Sequence, residues 1–356
     1  MKSLDEYLQY EQPTKYIVES TDYNEKYDTP VLTAGQSFIL GYTKETSGIF
    51  PKDKLPVIIF DDFTTSMKYV DFPFKVKSSA MKILHPKDNA NIKYFYYLMQ
   101  SIVFDSSTHK RYWISEYSKI LIEEKSCDEQ DKIVYTLDTI SKAINNRKSQ
   151  LDDLNEVLEQ EFVKIYESNY PMTTLNTLVD VRDGTHDSPI GLQQSDYILL
   201  TSKNITNKGI NYENVKYISK EDFDEINKRS KVDVNDILMP MIGTIGNPII
   251  VKEVNNYAIK NMALFKKSNK VLPNFLLYFL RSKWFLSYVQ QNNRGATQKF
   301  VSLTDIRNTP FKQIPIVEQE KFESIVKKVN TMRDNIILDI TDMETLYDKK
   351  IHEYFD

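Results

Sequence analysis

Glu129-Gln130-Asp131-Lys132-Ile133 and Glu318-Gln319-Glu320-Lys321-Phe322 are two versions of one pentapeptide set 189 residues apart, and each opens a long run free of Pro and Gly. After the first, Ile133, Leu137, Ile140, Ile144, Arg147, Leu151, Leu154 and Leu158 recur in steps of three and four, a heptad seam interrupted only by Arg147. Nothing breaks the helix until Pro171. At about 1.5 Å per residue, roughly 38 residues make a rod of about 57 Å. After the second pentapeptide, Ile325, Val329, Met332, Ile336, Ile340, Met343 and Tyr347 mark a similar stripe, suited to a more weakly supercoiled pairing. A one-stripe helix of this length has to bury its seam on something equally long. The other copy is the obvious partner.

Working upstream, the repetition continues. Trp113-Ile114-Ser115 parallels Phe300-Val301-Ser302, Asn91 to Leu98 parallels Pro273 to Leu280, and Val31-Leu32-Thr33 parallels Leu199-Leu200-Thr201. The offsets of these pairs drift slowly, from 168 through 182 and 187 to 189, as expected of a duplicated unit with unequal loops. The chain therefore divides into a globule (1–127), a helix (128–169), a second globule (170–316) and a second helix (317–356). The globules read as mixed α/β, an α+β class overall. Val57–Phe60, Ala80–Leu84, Tyr197–Leu200 and Pro248–Val251 have strand composition, and Lys93–Ser101 and Asn274–Gln290 read as helices.

The chain has 356 residues, of which 41% are hydrophobic, enough for two domains of about 120 to 150 residues with real cores. Its net charge of −4 is unevenly spread. The first globule carries 16 basic and 17 acidic side chains and the second 19 and 13, while the helices carry 5 and 10, then 6 and 10. Binding follows the local field, so an acidic total does not exclude DNA. The acidic helices suit protein contacts. A single cysteine, Cys127, leaves no intramolecular disulfide framework and no Cys-based zinc site. With no signal-like start and only strand-sized apolar runs, the expectation is a cytoplasmic protein with no membrane span.

The missing chemistry is informative. No Gly is followed by Lys, there is no Gly-x-Gly, no Pro-Pro pair and no Pro-Asp pair. Those absences remove the P-loop, the common nucleotide and methyl-donor cradles, and the usual amino-methyltransferase and nuclease signatures. The four His residues, at 85, 109, 186 and 352, lack metal-ligand spacing. Asp61-Asp62 on a strand end would point to opposite faces, which favours a hydrogen-bonded turn over an acid–base pair. No catalytic residue, metal site or bound cofactor is expected.

With these motifs in hand, the chain resembles the specificity subunits of type I restriction–modification systems. The residues that carry the resemblance are Thr29 to Gln36, Pro56 to Thr64, Asp183 to Pro189, Gly243-Thr244-Ile245-Gly246 and the Glu-Gln-led helices. The resemblance implies two target recognition domains, each reading one half of a split double-stranded DNA site. It also implies that the helices pair as an antiparallel coiled coil, fix the spacing, and dock two methyltransferase subunits through Glu129, Gln130, Glu318 and Gln319. S-adenosylmethionine and ATP would then sit on partner subunits, the second with the restriction/translocase subunit.

Base reading needs polar side chains on loops, with Lys and Arg on phosphates. In the first globule the candidates are Thr33, Gln36, Thr64, Thr65, Lys68, Lys110, Arg111 and Tyr112. In the second they are Thr185, His186, Ser202, Lys203, Asn204, Thr244 in the Gly243–Gly246 turn, Arg294, Thr297, Gln298 and Lys299. Thr33 and Thr201 equally suit local turn bonds, and Trp113 and Phe300 suit the core. A fused enzyme would need motifs that are absent. The rival reading is a coiled-coil scaffold whose globules bind protein without sequence-specific DNA contact.

Overall fold

The computed structural model describes residues 1–33, 38–88, 90–106, 111–206, 209–242, 247–292 and 301–356. The chain forms two compact units, residues 1–148 with 338–356, and residues 149–337. Both long helices, Cys127–Tyr166 and Ile316–Phe355, are divided between the units rather than standing apart from them. Among the described residues no helix is long and apolar enough to cross a membrane.

Among the described residues, the first unit holds an antiparallel sheet in the order Leu8–Glu11, Met81–Pro86, Val57–Asp61, Met67–Val70. A second sheet runs Ile39–Thr43, Thr29–Leu32, Lys75–Val76, its last pair parallel. The other unit repeats this strand for strand. Its antiparallel sheet is Val181–Asp183, Met262–Phe265, Ile237–Pro240, Ile249–Ile250, and its small sheet is Lys216–Tyr217, Ile198–Leu200, Tyr257–Ile259, again with a parallel last pair.

Why the central strand belongs inside is visible in its period of two. All five residues of Val57–Asp61 are buried. Ile58 and Phe60 join the core under the helix Ile92–Ser101 and the long helices, while Val57 and Ile59 join the core on the opposite face. Ile237 and Met239 against Leu238 divide the same way in the second unit. The four predicted strands are present at Val57–Asp61, Met81–Pro86, Ile198–Leu200 and Ile249–Ile250. The expected single helix from Asn274 to Gln290 is two, Pro273–Arg281 and Lys283–Asn292. Ser282 between them is extended, and its Oγ accepts the Phe285 N–H at 3.4 Å, so it ends one helix and caps the next.

Each unit also contains a length of antiparallel helix pair. In the first, Ile133 and Leu137 share a core with Ile351, and Arg147–Asp339 (3.1 Å) and Lys148–Glu344 (2.8 Å) flank it. In the second, Leu158 and Phe162 pack with Phe322, Val326 and Val329. The seam of the second helix differs from the sequence reading at two places. Phe322 and Val326 are more deeply buried than Ile325, and Met332 is 52% exposed. Arg333 takes the inward place and bonds Asn155.

Candidate nucleic-acid interface

In each unit, backbone hydrogen bonds tie together the segments that carry the described candidates. In the first, the Lys77 N–H donates to Leu32 O (2.8 Å), Asp62 N–H to Ala80 O (3.2 Å) and Tyr112 N–H to Asp62 O (2.9 Å). In the second, the Lys260 N–H donates to Leu200 O (2.9 Å), Met241 N–H to Asn261 O (3.2 Å) and Val301 N–H to Met241 O (3.1 Å). The two sets are the same three stitches. They equate Tyr112 with Val301, an offset of 189 rather than the 187 read from the aromatic residues.

Around the first edge sit Thr33, Thr64, Thr65, Lys68 and Arg111. The Thr33 N–H bonds Phe38 O at 3.0 Å. Thr64 and Thr65 form a turn folded onto Asp61, whose Oδ1 accepts the Phe63 (2.8 Å) and Thr64 (3.2 Å) N–H groups. Thr65 adopts a left-handed φ of 58° there. Thr64, Lys68 and Arg111 are exposed. Tyr112 is a correction: its side chain is fully buried, packed edge-on against Phe104, and presents nothing to a duplex. Trp113 is core, as its composition suggested, set against Phe60. Asp61 and Asp62 are both buried in hydrogen-bonded roles rather than forming an acid–base pair.

Around the second edge, Thr185 is stitched in on both sides, its N–H to Ile259 O (2.9 Å) and its carbonyl accepting from Asn261 N–H (3.1 Å). Gly184 before it has no room for a side chain, since a Cβ would lie 2.3 Å from Ile259 O. His186 is exposed and bracketed by Asn261 Oδ1 (2.9 Å) and Asp183 Oδ2 (3.0 Å). Arg229, on the helix Lys220–Ser230, reaches Gly184 O (3.1 Å) and Asp183 (3.4 Å). Lys203 is exposed and Ser202 half-buried in the turn leaving Leu200. Asn204 is the second correction: it is buried, accepting from Thr201 N–H (2.9 Å) and donating to Asn211 O (3.1 Å), so it closes a turn instead of facing outward. Gln36, Lys110, Thr244, Arg294, Thr297, Gln298 and Lys299 lie outside the described residues. Sequence reasoning missed Asp183, Arg229 and Asn261, which hold His186 and its loop; the Asp183-Gly184-Thr185-His186 run was the available signal.

The Glu-Gln pairs have a local cause. Glu129 Oε2 accepts the Ser126 N–H (2.9 Å) and hydroxyl (2.6 Å), a helix cap that holds its carboxyl below the ordinary range. Gln130 Nε2 donates to Lys125 O at 2.9 Å, and Gln319 Nε2 donates to Ile314 O at 2.8 Å, the same latch in both copies. Gln319 also donates to Lys270 O (3.0 Å) and accepts from Leu272 N–H (2.8 Å). It is fully buried, so as a docking residue it is the third correction. Glu318 pairs on the surface with Lys321 at 2.7 Å. Among the described residues no group of three or more His, Cys, Asp or Glu is placed to hold a metal ion.

No family model matches the chain. It is 48% identical over 165 residues, 41% of each chain, to the Escherichia coli type I restriction enzyme EcoR124I/EcoR124II specificity subunit. It is 23% identical over 338 residues, 83% of this chain and 70% of the relative, to the E. coli EcoBI specificity subunit. The chain thus aligns over less than half the length of the first of these relatives. Its fold is similar to the crystal structure of a type I restriction-modification S subunit from M. genitalium, with a TM-score of 0.56 at 14% identity, covering 100% of this chain and 95% of that one. A second structure, from a study of type I complex assembly, gives a TM-score of 0.54 at 12% identity, covering 98% and 97%. The resemblance read from the sequence motifs is borne out, and the fold is that of type I specificity subunits.

Proposed function

We propose that this chain is the specificity subunit of a type I restriction–modification complex, and that the stitched sheet end of each unit reads one half of a bipartite double-stranded DNA target. The observation that carries this is the repetition itself. Two copies of one edge, each crowned by exposed polar and basic side chains, suit two half-sites, as protein symmetry suits operator symmetry. Thr33, Thr64, Thr65, Lys68 and Arg111 contact one half, and Thr185, His186, Ser202 and Lys203 the other. Gln36, Lys110, Thr244, Arg294, Thr297, Gln298 and Lys299 are further candidates for the same role, carried by the sequence alone.

The long helices set the separation of the readers and dock two methyltransferase subunits, with Glu129, Gln130 and Glu318 near that contact. The chain acts by binding and has no active site. S-adenosylmethionine resides on the methyltransferase subunits, and ATP on the restriction/translocase subunits that join them in the cytoplasm. The test is co-expression with a cognate adenine methyltransferase subunit, followed by sequencing of modified adenines. A split motif with a fixed gap, lost when this chain is deleted, is the expected result. Binding by the assembled complex falls with salt and differs between target and non-target DNA. An unchanged methylation pattern overturns the proposal in favour of a protein-binding scaffold.

A further inference from the structure

Among the described residues, the first edge holds a buried ion pair that the second does not. Asp62 is 2% exposed and Lys82 1% exposed, with Lys82 Nζ 3.3 Å from Asp62 Oδ2. Lys82 also lies 5.1 Å above the Tyr10 ring. The other carboxylate oxygen, Oδ1, accepts the Trp113 N–H at 2.9 Å, while the Asp62 carbonyl accepts the Tyr112 N–H at 2.9 Å. Matching the strand registers, Asp61 opposite Met81 corresponds to Pro240 opposite Met262, so Met241 stands where Asp62 does and Ala263 where Lys82 does. Both are buried. Met241 keeps the backbone stitch to Val301 and offers no carboxylate.

A buried ion pair is a costly way to hold a fold that Met and Ala hold in the other copy. What the pair adds is a second bond to the segment it grips. Arg111 is the exposed residue immediately before the helix Tyr112–Ser115, and both residues that follow it are tied to Asp62. We infer that Asp62 is a positioning residue for the first reader: Lys82 holds its carboxylate in place, the carboxylate pins the Tyr112–Trp113 backbone, and Arg111 is thereby presented at a fixed point on the DNA-facing edge. The inference rests on the DNA-reading function proposed above.

Two double variants of the full chain, each co-expressed with the methyltransferase subunit, separate positioning from folding. D62M with K82A installs the residues of the second copy and removes the side-chain acceptor. It is expected to fold and to relax base discrimination about tenfold in one half of the motif, leaving the other half intact. D62N with K82M removes both charges but keeps an oxygen that can accept from Trp113, and is expected to retain wild-type fidelity in both halves. Unchanged fidelity in D62M/K82A, or equal relaxation of both halves, overturns the inference. Hydrogen exchange at Tyr112 and Trp113 in the unsubstituted complex needs no variant to fold: slow exchange at both supports the pin, and exchange at the rate of open loops overturns it. A wild-type chain that directs no split motif sinks the DNA-reading function itself. A motif that is present but indifferent to D62M/K82A sinks only the role of Asp62.

Discussion

The two units are copies in topology and differ in what they bury. At the stitched edge the first unit buries a carboxylate and an ammonium, Asp62 and Lys82, where the second buries Met241 and Ala263. At the globule–helix junction the asymmetry runs the other way. Gln319 makes three hydrogen bonds at zero exposure, whereas Gln130 is half-buried with one bond to Lys125 O. The second unit also carries the helix Lys220–Ser230 between strands that in the first unit are joined with only the short turn Lys52–Lys54. Duplication preserved the backbone stitches, and polar side chains were redistributed around them.

The comparison can be broken most sharply at the buried pair. Lys82→Ala strands the Asp62 carboxylate in the core and is expected to lower stability by about 3–5 kcal/mol. Met241→Leu, at the matching place in the second unit, conserves volume and should cost less than about 1.5 kcal/mol. Urea unfolding of both variants measures the difference, and similar losses would abolish the proposed asymmetry. Next in size, Gln319→Ala leaves buried partners unsatisfied and should cost about 1–3 kcal/mol, against roughly 1 kcal/mol or less for Gln130→Ala. A larger loss at Gln130 would reverse the assignment of which junction is the tighter latch.

The smallest contrast is in acid. Burial holds the His85 imidazole below its ordinary 6.5, against the upward pull of the Glu11 carboxylate 3.3 Å away. The folded state therefore resists a proton that the unfolded chain accepts, so this contribution is present above 6.5 and is lost as pH falls from 6.5 toward the lowered folded value. Register places Lys266 at the matching position. Its hydrogen bond and charge lower the Asp233 carboxyl below 3.8, so that contribution is lost only at more acid pH. Between pH 6.5 and 5, amide protection factors, taken relative to the intrinsic exchange rate at each pH, should fall in the first unit before the second, and His85→Gln should remove the difference.

Much of this was legible before any coordinates. The helices follow from steps of three and four uninterrupted by Pro or Gly, and they occupy Cys127–Tyr166 and Ile316–Phe355. Val31-Leu32-Thr33 against Leu199-Leu200-Thr201 is matched by the equivalent Leu32 and Leu200 stitches. The candidate edge was half legible. Thr64, Arg111, His186 and Lys203 stand exposed in loops, turns or beside helix ends as polar composition suggested, and Lys68 is exposed but on the strand Met67–Val70 rather than a loop, while Tyr112, Asn204 and Gln319 turned inward. The break at Ser282 escaped notice because an apolar stripe continues across it.

By itself the sequence determined the duplicated plan, the long helices and the absence of familiar catalytic motifs, because period and spacing are local properties that a chain carries before it folds. Which polar groups face the core was decided only in three dimensions. Asp62 meets Trp113 across 51 positions, and Gln319 meets Leu272 across 47. A polar side chain is buried when distant backbone arrives to satisfy it, and no local pattern of residues records that arrival.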